Sequence, residues 1–352
     1  MRIKFFLPAL IVIMGFGWIL NGQDREKLIN LNGSWKFSIG DDMDWSKPDY
    51  NDRAWEYIKV PSSWEDQGYN GYDGYAWYRK HVKVSSSYRG RNYELDLGQI
   101  DDVDQVFFNG HMIGASGIFP PNYSSAYYIK RLYYLPEKYL NFDEDNVIAV
   151  RVYDSQMVGG ITKGDIGIFE KINFLRLDMD LNGLWKFKTG DNLEWKERIF
   201  DDKNWDKIIV PNYWETQGYS NYDGFTWYRI NFTLPDNLTN KKLVLIMGKI
   251  DDLDETYING TLVGATGDIN GNKNIDFVKL GAYNKIRGYY IPDGIIQANK
   301  ENTIAVRVYD GYRDGGIYNG HVGILTQEKY VQYWKNQKSK SKNKSFWDWF
   351  FD

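Results

Sequence analysis

The 352-residue sequence contains no cysteine and only three histidines, His81, His111 and His321. Without cysteine the chain has no disulfide bonds and no lipid anchor attached through cysteine, so core burial, alone or with a bound ion, must stabilise it. The segment GASG around Ser116 lacks the Gly-x-Ser-x-Gly pattern of a hydrolase nucleophile, and its later counterpart has Thr266. These absences argue against a serine hydrolase and against a metal centre built on histidine.

A strong excess of either charge is also missing, since the formal net charge is −4. The chain lacks the basic character of nucleic-acid-binding proteins, and we expect no nucleic acid as a partner. Aromatic residues, by contrast, make up 17% of the sequence, with 14 Trp and 28 Tyr. They can fill the core of a β-sandwich or form surfaces on which sugar rings stack, and composition alone does not decide between the two.

The N-terminus has two basic residues, Arg2 and Lys4, ahead of an apolar run from Phe5 to Leu20. A basic segment followed by an apolar segment is typical of a secretory signal peptide. We predict a signal peptide at residues 1–22, which would make the mature protein secreted or periplasmic. The apolar run is slightly short for a stable membrane span, and an uncleaved anchor is the alternative.

Most of the remaining sequence consists of two copies of one pattern. LNGSWKF at 31–37 returns as LNGLWKF at 181–187. WEDQGYNGYDGYAWYR at 64–79 returns as WETQGYSNYDGFTWYR at 214–229, again at an offset of 150 residues. A repeat of this length predicts two domains of one fold.

The offset grows later in the copies, because IAVRVYD at 148–154 returns at 304–310, an offset of 156. The second copy therefore has six extra residues between Gly267 and Arg287. An insertion of this kind is tolerated best on the surface, so we expect a loop there.

Within each copy the local signals are those of β-strands. VIAVRVYD is a run of β-branched and apolar residues, and QVFFNGHMIG places Asn-Gly between two short strands, which is a strong hairpin signal. Many short strands at short spacing favour a sandwich or jelly roll. The predicted fold class is all-β, with two tandem jelly-roll β-sandwich domains at 28–172 and 178–328 and a basic linker and aromatic tail at 329–352.

The order of WEDQGY, GQIDDVD and IAVRVYD in the first copy, repeated in the second, resembles the galactose-binding-like jelly-roll domain of family 2 glycoside hydrolases. A related jelly roll is inserted in sialate O-acetylesterases. The resemblance covers both copies and implies a sugar-binding domain of the β-galactosidase type. Family 2 enzymes hold their catalytic carboxylates on a (β/α)8 barrel of about 250 residues. Since about 27 residues follow the second copy, and the GQSN setting of the esterase serine is absent, we predict no catalytic residue.

The repeated aromatic stretch contains candidate carbohydrate-binding residues. Aromatic faces can stack on a pyranose ring, and carboxylates can accept hydrogen bonds from its hydroxyl groups. The candidates are Trp64, Glu65, Tyr69, Tyr72, Asp73 and Asp102 in the first copy, and Trp214, Glu215, Tyr219, Tyr222, Asp223 and Asp252 in the second. In the alternative interpretation the tryptophans are core anchors and the glycines shape an irregular loop.

A group of three aspartates also occurs in both copies. Its members are Asp101, Asp102 and Asp104 in the first copy, and Asp251, Asp252 and Asp254 in the second. Carboxylates are preferred ligands of Ca²⁺, so a structural calcium ion is one interpretation, and no other cofactor is predicted. The preferred interpretation is that these residues cap turns and pair with Arg151 and Arg307. We also expect Arg79 and Arg229 to pair with a carboxylate inside each domain.

The C-terminus combines a stretch rich in lysine and serine with the aromatic group at 346–351. The polar, cationic composition predicts a disordered linker. The aromatic group is a candidate docking segment for the body of the protein, a partner or a membrane surface, and the sequence does not distinguish these.

Together these features favour a secreted carbohydrate-binding protein that is not catalytic and is accessory to polysaccharide degradation, with two linked sites raising avidity. Two alternatives stay open. One is a glycoside hydrolase or carbohydrate esterase component with activity at the seam between the domains, which for glycoside hydrolysis would need two carboxyl groups about 5 to 9.5 Å apart. The other is a structural or interaction module without a ligand.

Overall fold

The computed structural model describes residues 25–172, 175–269 and 281–343. The predicted signal peptide, most of the insertion in the second copy and the C-terminal aromatic group lie outside the described residues. Within the described ranges the chain forms antiparallel β-sheets, short 3-10 turns and a C-terminal helix. The predicted all-β fold class with two β-sandwich domains is confirmed.

The first copy folds into a six-stranded sheet and a five-stranded sheet. The six-stranded sheet contains β2 (Gly33–Ile39), β3 (Glu56–Val60), β4 (Gly74–Lys83), β6 (Val103–Phe108), β7 (His111–Ser116) and β9 (Asp145–Asp154). The five-stranded sheet contains β1 (Arg25–Asn30), β5 (Tyr93–Asp101), β8 (Lys130–Leu135), β10 (Gly160–Lys163) and β11 (Gly167–Lys171). The strand orders are β3-β2-β4-β9-β6-β7 and β1-β11-β5-β10, and β8 also pairs with β5.

The second copy repeats this arrangement with a six-stranded and a four-stranded sheet. The larger sheet contains β13 (Gly183–Thr189), β14 (Asp206–Val210), β15 (Gly224–Thr233), β17 (Leu253–Ile258), β18 (Thr261–Thr266) and β20 (Glu301–Asp310). The smaller sheet contains β12 (Met179–Asp180), β16 (Leu243–Asp251), β19 (Ile286–Tyr290) and β21 (Gly316–Thr326). Their orders are β14-β13-β15-β20-β17-β18 and β12-β21-β16-β19. The long strand β21 occupies the places that β10 and β11 share in the first domain.

Each six-stranded sheet is buried on both faces. In the first domain its inner face contributes Trp35 and Tyr78 to the core between the sheets. Its outer face carries a second apolar cluster that includes Trp55, Trp77 and Phe107. The central strand β9 is therefore buried almost throughout, which explains why its sequence is nearly continuously apolar. Six tryptophans of the described chain are fully buried, so much of the aromatic content serves the two cores.

A buried arginine forms an ion pair inside each domain. Arg79 is fully buried, and its Nε lies 2.8 Å from an Asp52 carboxylate oxygen. Arg229 makes the same contact with Asp202, also at 2.8 Å. The prediction that Arg79 and Arg229 pair with carboxylates inside each domain is confirmed.

His81 extends the first of these networks and predicts a pH effect. Its Nδ1 lies 2.6 Å from Asp145 and its Nε2 lies 3.1 Å from Asp52. Partial burial works to lower the pKa of His81, but the two carboxylates outweigh it and raise the pKa above its ordinary value. The protonated form therefore stabilises the folded state, fully below about pH 6.5 and less as the pH rises through the raised pKa.

We expect His81→Asn, which places the residue found at 231 in the second domain, to remove this contribution. Because the side chain is 43% exposed, the loss should be under about 1 kcal/mol at pH 5.5 and close to nothing at pH 8.5. Urea unfolding of both proteins at the two pH values measures it. An equal loss at both values would contradict the assignment.

Helix α1 (Gln327–Asn343) replaces most of the predicted linker. The prediction of a disordered stretch at 329–343 is wrong, because Tyr330 and Tyr333 pack on an apolar patch formed by Val244, Ile246 and neighbouring residues on the outer face of β16. Aromatic residues spaced three apart were the available signal, although the lysine-rich composition masked it. Within the described ranges, no helix combines the length and the apolar character needed to cross a membrane.

Candidate functional site

The tryptophans of the predicted sugar-binding stretch lie in the domain cores. Trp64 and Trp214 are each 0% exposed. The Trp64 ring packs so closely under the loop after β9 that a Cβ added to Gly159 would lie 2.0 Å from it. A fully buried ring offers no face to a sugar, which corrects the stacking prediction for Trp64 and Trp214 and supports the alternative that they are core anchors.

The tyrosines of this stretch are engaged in shaping the loop. The Tyr69 hydroxyl donates to Glu56 at 2.6 Å, and the Tyr72 hydroxyl donates to the Tyr75 carbonyl at 2.6 Å. Tyr219 and Tyr222 make the equivalent bonds in the second domain. The rings of Tyr69 and Tyr72 also pack edge-on against core aromatic residues. Their contacts are those of loop anchors.

The glutamates of the predicted set accept hydrogen bonds from the protein backbone, whereas two of its aspartates are exposed to solvent. Both oxygens of Glu65 accept from the Gly159 backbone N–H at 3.2 Å, and Glu215 accepts from Gly315 at 3.0 Å. Each glutamate therefore stabilises the loop that follows β9 in the first domain or β20 in the second. Burial raises the pKa of Glu215 to about 8. Asp73 and Asp223 are the exposed members of the predicted set.

Asp102 and Asp252 each belong to a compact acidic cluster. In the first domain Asp101 ends β5, Asp102 leads into β6, and Asp154 ends the neighbouring strand β9. One carboxylate oxygen from each of the three lies within 4.8 Å of the others. Asp251, Asp252 and Asp310 form the same cluster in the second domain. The predicted groups of three aspartates were therefore wrong in one member each. Asp154 stands in the first cluster in place of Asp104, and Asp310 stands in the second in place of Asp254.

Asp104 and Asp254 instead form buried ion pairs. Asp104 lies 2.6 Å from the Nε of Arg131, and both side chains are 0% exposed. Asp254 pairs with Arg287 at 3.0 Å. Arg151, the partner predicted from sequence, bonds Asp41 on the outer face of the sheet. The predicted pairing of these aspartates with Arg151 and Arg307 is wrong because those arginines and the aspartates lie on opposite faces of the sheet.

Burial and the repulsion between like charges raise the pKa of four aspartates in the acidic clusters. Burial, with the adjacent Asp102 carboxylate, raises the pKa of Asp101 to about 7. Burial also raises the pKa of Asp154 to about 7, and the charges of its two neighbours add to the effect. For Asp102 hydrogen bonds from neighbouring hydroxyl groups outweigh burial, and its pKa falls to about 2. In the second domain burial raises the pKa of Asp251 to about 8 and that of Asp310 to about 7.

A cavity of about 350 Å³ lies at the seam between the two domains. One wall comes from the first domain, including Lys130, Leu132 and Tyr134. The other comes from the second domain and includes Tyr213 and Tyr318, whose rings stack at a centroid distance of 4.7 Å.

Polar contacts cross the seam beside this cavity. The Asn212 side chain donates to the Ala115 carbonyl at 2.9 Å, and the Tyr134 hydroxyl donates to Asp180 at 3.2 Å. Sequence reasoning missed Tyr213 and Tyr318 because the packing of one domain on the other leaves no local pattern in either.

Sequence relatives point to one enzyme family. An alignment 173 positions long, which covers 46% of this chain and 18% of the other, is 25% identical to the beta-galactosidase BoGH2A of Bacteroides ovatus. A second alignment, 138 positions long, covers 35% of this chain and 13% of a beta-glucuronidase of Formosa agariphila, with 27% identity. The chain is similar to glycoside hydrolases of family 2. The resemblance predicted from the motifs is confirmed, while no family model matches the sequence.

Among solved structures, this chain matches beta-glucuronidase 2 of Bacteroides uniformis with a TM-score of 0.37 and 14% identity. The match covers 84% of this chain and 28% of that one. The chain thus spans less than a fifth of the length of the two sequence relatives and under a third of the solved structure.

Proposed function

We propose that the protein binds carbohydrate at the cavity between its two domains and does not cleave it. The observation that carries the proposal is this cavity of about 350 Å³. Its size falls within the range of small-molecule sites, about 300 to 1,000 Å³. The kinship with a beta-galactosidase and a beta-glucuronidase gives the expected ligand class, galactosides or glucuronides.

The cavity lining supplies the contacts that a sugar requires. The stacked pair Tyr213 and Tyr318 provides aromatic surface against which the apolar face of a pyranose can pack. Asn319 adds an amide group that can both donate to and accept from sugar hydroxyls, while the side chains of Asn212 and Thr216 in the same lining are bonded within the protein. Aromatic surface with a few convergent polar groups is typical of ligand pockets.

The distribution of acids supports a binding role over hydrolysis at this seam. Among the described residues that line the cavity, Glu94 is the sole carboxylate, and it bonds Arg25 at 3.1 Å. Glycoside hydrolysis by the usual route needs two carboxyl groups about 5 to 9.5 Å apart across the scissile bond. The hydrolase alternative would need a second acid from outside the residues that line the cavity.

The proposal replaces two sites per chain with one shared site, so avidity would come from several chains rather than from the two domains. It retains export of the mature protein, which rests on the basic and apolar N-terminal pattern, and a role accessory to polysaccharide degradation. No cofactor takes part in binding, and Ca²⁺ enters only as a structural ion.

Calorimetric titration with galactose- and glucuronate-containing oligosaccharides tests this function. We expect Tyr213→Ala and Tyr318→Ala each to weaken binding at least about tenfold, equivalent to about 1.4 kcal/mol. Tyr57→Ala is the matched control, since Tyr57 is 70% exposed and lies outside the cavity. Unfolding curves for each variant show that the domains remain folded.

Two results would favour the alternatives. Calorimetric titrations that show no heat of binding across a broad oligosaccharide panel would favour a module without a ligand. Release of sugar from chromogenic galactosides or glucuronides would favour the hydrolase, and the carboxylates responsible would then have to be sought beyond the seam cavity.

A further inference from the structure

The two acidic clusters share one geometry although the loops around them differ. In each domain the chain leaves the smaller sheet at one aspartate, Asp101 or Asp251, and enters the larger sheet immediately after the next. The backbone N–H of Asp102 donates to the Tyr153 carbonyl at 3.2 Å, which holds this crossing beside the end of β9. Three carboxylates are thereby brought together from two strand ends, and the same construction occurs twice.

Each cluster contains a buried carboxylate oxygen without a hydrogen-bond partner among the described residues. Asp154 and Asp310 are both 0% exposed. Their Oδ2 atoms accept no hydrogen bond, and each Oδ1 has only a long contact of 3.4 Å with a backbone N–H. Burying an anionic oxygen without a donor is costly, and in both domains either a proton or a bound cation would relieve that cost.

The nearest guanidinium groups form ion pairs with aspartates outside the clusters. Arg131 bonds the Asp104 carboxylate at 2.6 Å and the backbone carbonyl of Asp102 at 2.9 Å. Arg287 bonds Asp254 and the backbone carbonyl of Asp252 in the same way. These arginines support the backbone beneath each cluster, and within the described residues no ion pair joins them to Asp154 or Asp310.

We propose that each domain binds one Ca²⁺ ion, held by Asp101, Asp102 and Asp154 in the first domain and by Asp251, Asp252 and Asp310 in the second. Ca²⁺ takes oxygen ligands at about 2.3 to 2.6 Å, so oxygens that lie within 4.8 Å of one another can all contact one ion after at most a small side-chain adjustment. The unpartnered Oδ2 atoms become ligands, and water completes the coordination shell.

Hydrogen bonds orient one ligand of the first site in advance. The Asp102 carboxylate accepts from the hydroxyls of Ser125 at 2.5 Å and Ser155 at 2.9 Å, and from the Ser155 backbone N–H at 3.1 Å. Bonds of this kind fix the orientation of metal ligands and raise their affinity. The ion ties the crossing between the sheets to the end of β9, a structural role that does not depend on sugar binding at the seam.

The test is binding of Ca²⁺ alone by the full chain. After dialysis against EDTA, titration with CaCl₂ should show two ions per chain and a rise in melting temperature. Asp154→Asn and Asp310→Asn should each remove one ion, and the double variant should remove both, weakening affinity at each site by about tenfold or more. Asp293→Asn, an exposed aspartate outside both clusters, is the matched control and should bind two ions.

Terbium luminescence, excited through neighbouring aromatic residues, measures occupancy of the same sites independently of thermal stability, so a destabilised variant can still be judged. Failure of the wild type to bind Ca²⁺ at millimolar concentration would overturn the proposal. Undiminished binding by a folded double variant would overturn it as well. Neither result bears on oligosaccharide binding, which is measured separately in EDTA.

Discussion

Trp64→Ala should lower the free energy of unfolding of the first domain by about 3 to 5 kcal/mol, the range for removing a large buried aromatic side chain. Trp64 is 0% exposed and packs against Phe37 and Tyr72 at centroid distances of 6.0 and 5.8 Å. Gly159 closes over the ring, so the space left by the indole cannot be filled without moving the loop after β9. The loss therefore includes a cavity cost as well as lost burial.

Urea unfolding of Trp64→Ala and of Trp214→Ala, its counterpart in the second domain, measures this effect. Tyr57→Ala provides the contrast, because Tyr57 is 70% exposed and surface changes of this kind usually cost under about 0.5 kcal/mol. A small stability loss for Trp64→Ala combined with loss of oligosaccharide binding would restore the original stacking prediction.

Arg131→Met should also cost about 3 to 5 kcal/mol, because it leaves the carboxylate of Asp104 buried without its cation. Both partners are 0% exposed and lie 2.6 Å apart. The substitution also removes the donors to the backbone carbonyls of Ala126 and Asp102. Burial already raises the pKa of Asp104, and the charge of Arg131 is what opposes that shift.

A double-mutant cycle separates the pair from its surroundings. We expect Arg131→Met with Asp104→Asn to lose less stability than the sum of the single variants, since the second change removes the stranded charge. The matched control is Arg151→Met, whose bond to Asp41 is partly exposed, and it should cost about 1 kcal/mol or less. Strict additivity in the cycle, or a larger loss at Arg151, would contradict the assignment of the buried pair.

The local and repeated features of this protein were readable from its sequence. Asn-Gly between two short apolar runs predicts a hairpin, and β6 and β7 form one at that point. The apolar run IAVRVYD predicts a buried strand, and β9 is buried almost throughout. The duplication predicts two copies of one fold, and the two pairs of sheets follow the same order. These inferences succeed because strand formation and turn chemistry depend mainly on neighbouring residues.

The helix at the C-terminus shows the limit of composition as a guide. A lysine-rich segment predicts disorder when it is read alone. In the fold, however, Tyr330 and Tyr333 pack on an apolar patch on β16, a strand more than 75 residues earlier in the chain. Packing on that patch offsets the unfavourable composition, since most helical stability in proteins comes from tertiary contacts.

The sequence by itself determined the all-β class, the duplication and the presence of aromatic and acidic residues at fixed places in each copy. Only the tertiary structure decided what those residues do. Glu65 bonds a backbone group 94 positions away, and Asp104 pairs with an arginine 27 positions away that no motif singled out. Whether a ring is a core anchor or a binding face, and which carboxylates meet, depends on contacts between distant segments, and a linear pattern does not contain those contacts.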